Sequence, residues 1–219
     1  SYVKNLPSGV KVYGLNLGDV SNESHWGGNY KGDLNSFVTV CERGGMPMQM
    51  YTIIGNHEHD MAATNLLTDD DSAAELAYMN TFGPTYYSMN LGNIHYVMLD
   101  NIVYLNEPKA NAKVGGGIVG ARNYKAAFTR EQLDWLAKDL AAVDKSTPII
   151  IGCHSPIFRY KNGRNGTITS TLSPENEAAL IALLKDFSTV HILAGHTHRN
   201  RTTRGCDDKN RPELHNIID

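Results

Sequence analysis

Four short apolar runs in this chain stop in the same way. Residues 15–17 lead into Gly18-Asp19, and residues 53–54 into Gly55-Asn56-His57. Residues 149–151 lead through Gly152-Cys153 to His154, and residues 192–194 into Gly195-His196-Thr197-His198. Each run has the length of a strand, and amphipathic segments lie between them, which is the pattern of an α/β domain. In open α/β sheets, sites assemble beyond the carboxyl ends of strands, so four such ends are able to converge in space. Glycine at each end lets the backbone turn sharply and leaves room for neighbouring side chains to reach a common centre.

The intervening pattern predicts the remaining elements. Strands are expected over residues 11–17, 49–54, 148–153 and Val190–Ala194, with a hairpin over 85–100 turning through Asn90 to Asn93. Helices are expected over 34–41 (stopped by Gly44-Gly45), Ser72–Phe82, 129–143 and 173–187. Thr129 and Gln132 read as a capping-box pair, and Leu133, Leu136 and Leu140 share one face of the helix that follows. Residues 105–128 and 159–169 read as surface loops of the kind that border binding sites. No repeat or linker divides the chain, so residues 1–219 are taken as one domain.

Composition removes several classes of function. With 41% hydrophobic and 20% charged residues the chain is patterned to fold rather than to stay disordered. A net charge of −3 with no Lys/Arg block gives no strong nucleic-acid signal. No apolar run approaches the ~18–20 residues of a membrane span. Three cysteines at unrelated spacings suggest neither a disulfide framework nor a thiolate metal site.

Carboxylate, amide oxygen and imidazole together suit borderline or harder divalent ions such as Mn²⁺, Fe²⁺ or Zn²⁺. A carboxylate is also able to bridge two such ions ~3.5–4 Å apart, which clamp the attacking and leaving oxygens of a phosphoryl displacement. The ordered set GD, GNHE, a lone His after a buried strand, and GHTH, running from Gly18 to His198, resembles the calcineurin-like metallophosphoesterase superfamily. The resemblance implies a four-layer α-β-β-α sandwich with two divalent metal ions at the sheet edge. It implies a hydrolase that uses metal-activated water on phosphate mono- or diesters, with a phosphorylated small molecule or phosphoprotein as substrate. Asp19 would bridge the metals; Asn56, His154 and His196 would complete one site, and His198 would belong to the other. His57 would be the catalytic histidine, and Glu58 would orient a neighbouring group.

One departure accompanies the resemblance. The family opens on a D-x-H motif before GD, and none occurs in the seventeen residues ahead of Gly18. The expectation is a domain truncated at the N-terminus, where a strand is missing, and also at the C-terminus. Such a chain would keep one well-formed metal site and weak activity by itself. The alternative is a non-catalytic or single-metal binding module on the same fold.

Asn22, His25 and Arg159 are candidate substrate contacts, with Arg122, Tyr124, Tyr160 and Arg164 as further polar residues in the two loops. His59 is expected to be solvated or to support the ligands, and His95, His191 and His215 to be structural. The glycine run at 115–120 satisfies GxGxxG without a strand before it or a helix after it. Asp69-Asp70-Asp71 lacks the glycine of a calcium loop, because Ala74 stands at position six.

Overall fold

The computed structural model describes residues 2–20, 30–59, 72–108, 122–163 and 166–219. Asn22, His25, Arg164, the acidic run at 69–71 and the glycine run at 115–120 lie outside the described residues.

Two sheets organise the chain. In the smaller, β1 (Tyr13–Asn16) pairs in parallel with β2 (Gln49–Thr52), and α1 (Tyr30–Arg43) lies between them in sequence. The larger has five strands in the order β11 (Ile217–Ile218), β10 (Val190–Ala194), β7 (Ile149–Cys153), β4 (Ile94–Met98) and β3 (Tyr87–Leu91). Its pairings are parallel except for the β3–β4 hairpin. Of the remaining helices, α2 (Ser72–Phe82) contacts α1, while α3 (Arg130–Ala141) packs on α4 (Pro174–Leu184). The fold is mixed α/β.

The main core lies where α3 and α4 meet the five-stranded sheet. Val97, Ile149, Ile151 and Ile192 pack with Leu136, Leu140, Leu180 and Leu184 in one buried cluster. Leu136 and Leu140 are four residues apart and so share a helix face. Burying a side chain of this size contributes roughly 1.5–3 kcal/mol.

Local signals set the helix ends. The Thr129 hydroxyl accepts from the Gln132 backbone N–H at 3.2 Å, and the Ser173 hydroxyl accepts from Asn176 N–H ahead of Pro174 at the first helical position. Only half of the expected capping box forms, because the Gln132 amide turns inward. It accepts from Asp100 N at 2.9 Å and donates to Asp100 O at 2.7 Å.

The two expected loops hold strands instead. β5 (Ile102–Pro108) pairs antiparallel with β6 (Arg122–Ala126), and β8 (Phe158–Tyr160) with β9 (Ile168–Ser170). In the first, the Gly- and Asn-rich connection hid two flanking β-prone runs. In the second, three-residue strands are too short to show a period.

Candidate metal centre

β1 and β2 carry their terminal turns side by side, and the turns touch. A Cβ on Gly18 would stand 2.6 Å from His154 Nδ1 and 2.9 Å from the Gly55 backbone. One on Gly55 would stand 2.4 Å from Asp19 Oδ1. Close approach therefore requires glycine at both positions, and Gly18 also has φ +89°. Past Gly18, Asp19 itself lies at φ 57°.

Ends of both sheets meet at His154, which follows β7 and is 1% exposed. Its Nδ1–H donates to Leu17 O at 2.7 Å, which turns Nε2 toward the centre. There Nε2 lies 3.0 Å from Asn56 Oδ1, 3.1 Å from His196 Nδ1 and 3.2 Å from Asp19 Oδ2. The structure thus brings together Asp19, Asn56, His154 and His196, from the ends of β1, β2, β7 and β10. His57 stands at the rim, with Nε2 3.9 Å from Asp19 Oδ2 and its backbone N–H donating to Asp19 Oδ1 at 3.2 Å.

His198 is exposed and outside this close cluster, though near enough to act electrostatically on His196. The two histidines do not share one side of an extended segment, because His196 (φ 61°) and His198 (φ 50°) both occupy the left-handed region. Such conformations cost about 1–3 kcal/mol each in non-glycine residues and concentrate at functional sites. Among the described residues four non-glycines adopt positive φ, and three of them are Asp19, His196 and His198.

Buried side chains clasp these turns. Glu58, fully buried, accepts from Asp19 N at 2.6 Å and Gly55 N at 2.7 Å, so one carboxylate binds both turns together. Asn101, also fully buried, accepts from His154 N and Ser155 N and donates to Ser155 O. The Tyr104 hydroxyl donates to Asn56 O at 2.9 Å, and Tyr124 sets its ring edge-on to His196 with centroids 6.2 Å apart. Asn101 and Tyr104 carry no motif and were not legible as site residues. Tyr124 showed only as an ambiguous loop residue. His59 is fully buried and not solvated, with Nδ1–H donating to Gly55 O at 2.9 Å. His95 is buried between Asn90 and Asp139, a structural role.

Burial alone would raise the Asp19 carboxyl, but contact with His154 and the His57 N–H holds it below its ordinary value. His154 is raised, because Asp19 outweighs its burial. His196 is lowered by burial and by His154, which keeps its lone pair available.

The donor set fits a divalent metal. A proton on His154 Nε2 would serve one of three acceptor atoms, whereas a cation would satisfy all of them. Ligands held at ~2.1 Å by one ion stand about 3–4 Å apart, which matches the 3.0–3.2 Å separations here.

The profile of the calcineurin-like phosphoesterases matches residues 3–200. The chain belongs to the calcineurin-like phosphoesterase family. That family is metal-dependent, in keeping with the donors gathered around His154. The chain is also 28% identical over 159 residues, 68% of its length, to purple acid phosphatase 15 of Arabidopsis thaliana. It spans about a quarter, 24%, of that relative. No helix among the described residues of this phosphoesterase-family chain is long and apolar enough to cross a membrane.

Proposed function

We propose that the chain hydrolyses phosphate mono- or diesters at a metal centre held by Asp19, Asn56, His154 and His196. The convergence of three donor atoms within 3.0–3.2 Å of His154 Nε2 carries this reading. A divalent ion bound there would lower the pKa of a coordinated water and polarise the phosphoryl oxygen. Leu17 O and Asn101 fix the ring and backbone of His154, and Glu58 fixes the backbone of Asp19. His57, partly exposed at the rim, would meet the substrate and steady or protonate the leaving oxygen.

A dinuclear centre, bridged by Asp19 with His198 on the second ion, extends this reading. So does a four-layer sandwich, with the two sheets as its inner layers. Arg159 lines a cleft of about 480 Å³ that reaches His196 and also carries Arg199 and Arg201. Guanidinium groups there would hold phosphoryl oxygens of a phosphorylated small molecule or phosphoprotein. The second reading, a single-metal binding module, is favoured by the position of His198 outside the close cluster.

Activity of the chain toward nitrophenyl phosphate and bis-nitrophenyl phosphate, with Mn²⁺ added, tests the reading. Turnover that disappears in Asp19→Asn is expected for the esterase. Bound metal with no turnover on any ester would favour the module.

A further inference from the structure

The segment after His198 is basic in a chain whose net charge is −3. Residues 199–204 contain Arg199, Arg201 and Arg204 and no acid. Arg199 and Arg201 line the cleft that reaches His196, and Arg159 of β8 lines it from a different element. All three are exposed. Arginine ion pairs lie elsewhere, between Arg130 and Asp134 and in the group of Arg211 with Glu177 and Glu213. Among the described residues, Arg159, Arg199 and Arg201 have no carboxylate partner.

Asp219 brings the single carboxylate found among the described residues of the cleft lining, and backbone engages it. The Ile157 and Phe158 N–H groups donate to Asp219 Oδ2 at 2.9 and 2.6 Å. The Asp219 main chain exchanges two hydrogen bonds with Thr203, two positions beyond Arg201. One residue thus fastens both arginine-bearing elements, since its side chain holds the entry to β8 and its main chain holds the segment after His198. The charge left to the cleft is positive, on elements already tied to each other.

The rest of the lining is mixed. Pro156, Phe158, Leu193 and Ala194 add apolar surface, and the volume of about 480 Å³ suits a small molecule rather than a folded partner. Guanidinium groups keep their charge at neutral pH and grip phosphate or carboxylate through paired N–H donors. With the reacting phosphoryl group at the metal centre beside His196, arginines in the adjoining cleft have a different anion to meet.

We infer that this cleft is a subsite for a second oxyanion, so that the chain selects small phosphate esters carrying a further phosphate or carboxylate. The inference rests on the esterase reading of the metal centre. One end of such a molecule lies at Asp19, His154 and His196, its carbon frame on the apolar lining, and its other anion against Arg159, Arg199 and Arg201.

The test measures binding first, because binding does not depend on turnover. Calorimetric titration of the Mn²⁺-loaded chain compares an alkylphosphonate with the ω-phosphonocarboxylate and the α,ω-bisphosphonate of matched chain length, none of them hydrolysable. A two-headed ligand is expected to bind about tenfold more tightly than the alkylphosphonate, as a charge-assisted contact at an exposed site provides. Arg159→Gln, Arg199→Gln and Arg201→Gln together should remove that advantage, Arg201→Gln alone should lower it, and Arg130→Gln on α3 should not. A leading bisphosphonate assigns phosphate to the subsite, and a leading phosphonocarboxylate assigns carboxylate. Equal affinity for one- and two-headed ligands overturns the subsite. So does an advantage that survives the triple variant or falls equally with Arg130→Gln. Comparing kcat/KM on the corresponding esters separates the two readings. A binding preference without turnover overturns the esterase reading alone, and turnover without any preference overturns the subsite alone.

Discussion

The two histidine clusters share the turn after β2 but are built differently. The Asp19–Asn56–His154–His196 cluster opens at its rim, where His57 is partly exposed, and its chain passes through left-handed φ at Asp19 and His196. In the His59–Glu75–Asp100 cluster His59 and Asp100 are buried and Glu75 is half-buried, and none of the three has positive φ. Metal sites that keep an open position are the catalytic ones. Of the two clusters, only the open one carries such strain, which is where a reactive geometry would need to be held against backbone preference.

The largest expected effect separates chemistry from binding within the open cluster. His57→Ala should lower turnover about 10²–10⁴-fold with metal content unchanged, as removal of a general acid does. Steady-state kinetics beside elemental analysis checks it, and unchanged turnover would remove His57 from the chemistry.

Next comes the clasp beneath His154. Asn101→Ala leaves His154 N, Ser155 N and Ser155 O without their buried partner. Each such group costs about 1–3 kcal/mol, so destabilisation of roughly 2–4 kcal/mol in urea unfolding is expected after partial relaxation. A change under 1 kcal/mol would mean that the turn holds itself.

Glu58→Gln tests the link between the two glycine turns. It keeps the size of the side chain but weakens its hold on Asp19 N and Gly55 N, and metal affinity should fall about 10–100-fold in calorimetric titration. The smallest effect addresses the strain. His198→Gly should stabilise the metal-free chain by about 1 kcal/mol, because glycine adopts φ 50° without penalty. The same exchange at His59, where no such strain exists, should destabilise.

What was legible in the sequence follows from range. The spans of α2 and β10 appear as read, because helix periodicity, strand composition and neighbouring glycines are local signals. The Thr129 and Ser173 caps are equally local, and each acts within three residues. The β5–β6 and β8–β9 hairpins were not visible, since strand pairing across a connection leaves no mark on a short run. Asn101 and Gln132 act across 53 and 32 residues, and such clasps carry no motif. Left-handed backbone at His196 and His198 was equally hidden, because glycine is the residue that announces it. His59 stood beside the motif, and its burial depends on Tyr104 and Asp100, more than forty positions away in sequence.

The central claim is that one divalent ion sits between Asp19, Asn56, His154 and His196. Mn²⁺ added in substoichiometric steps to the isotope-labelled, metal-free chain tests it most directly, through paramagnetic broadening of histidine ring resonances. The account predicts early and selective loss of the His154 and His196 signals, abolished by Asp19→Asn. Sharp His154 and His196 resonances in a folded chain with Mn²⁺ in excess would contradict it.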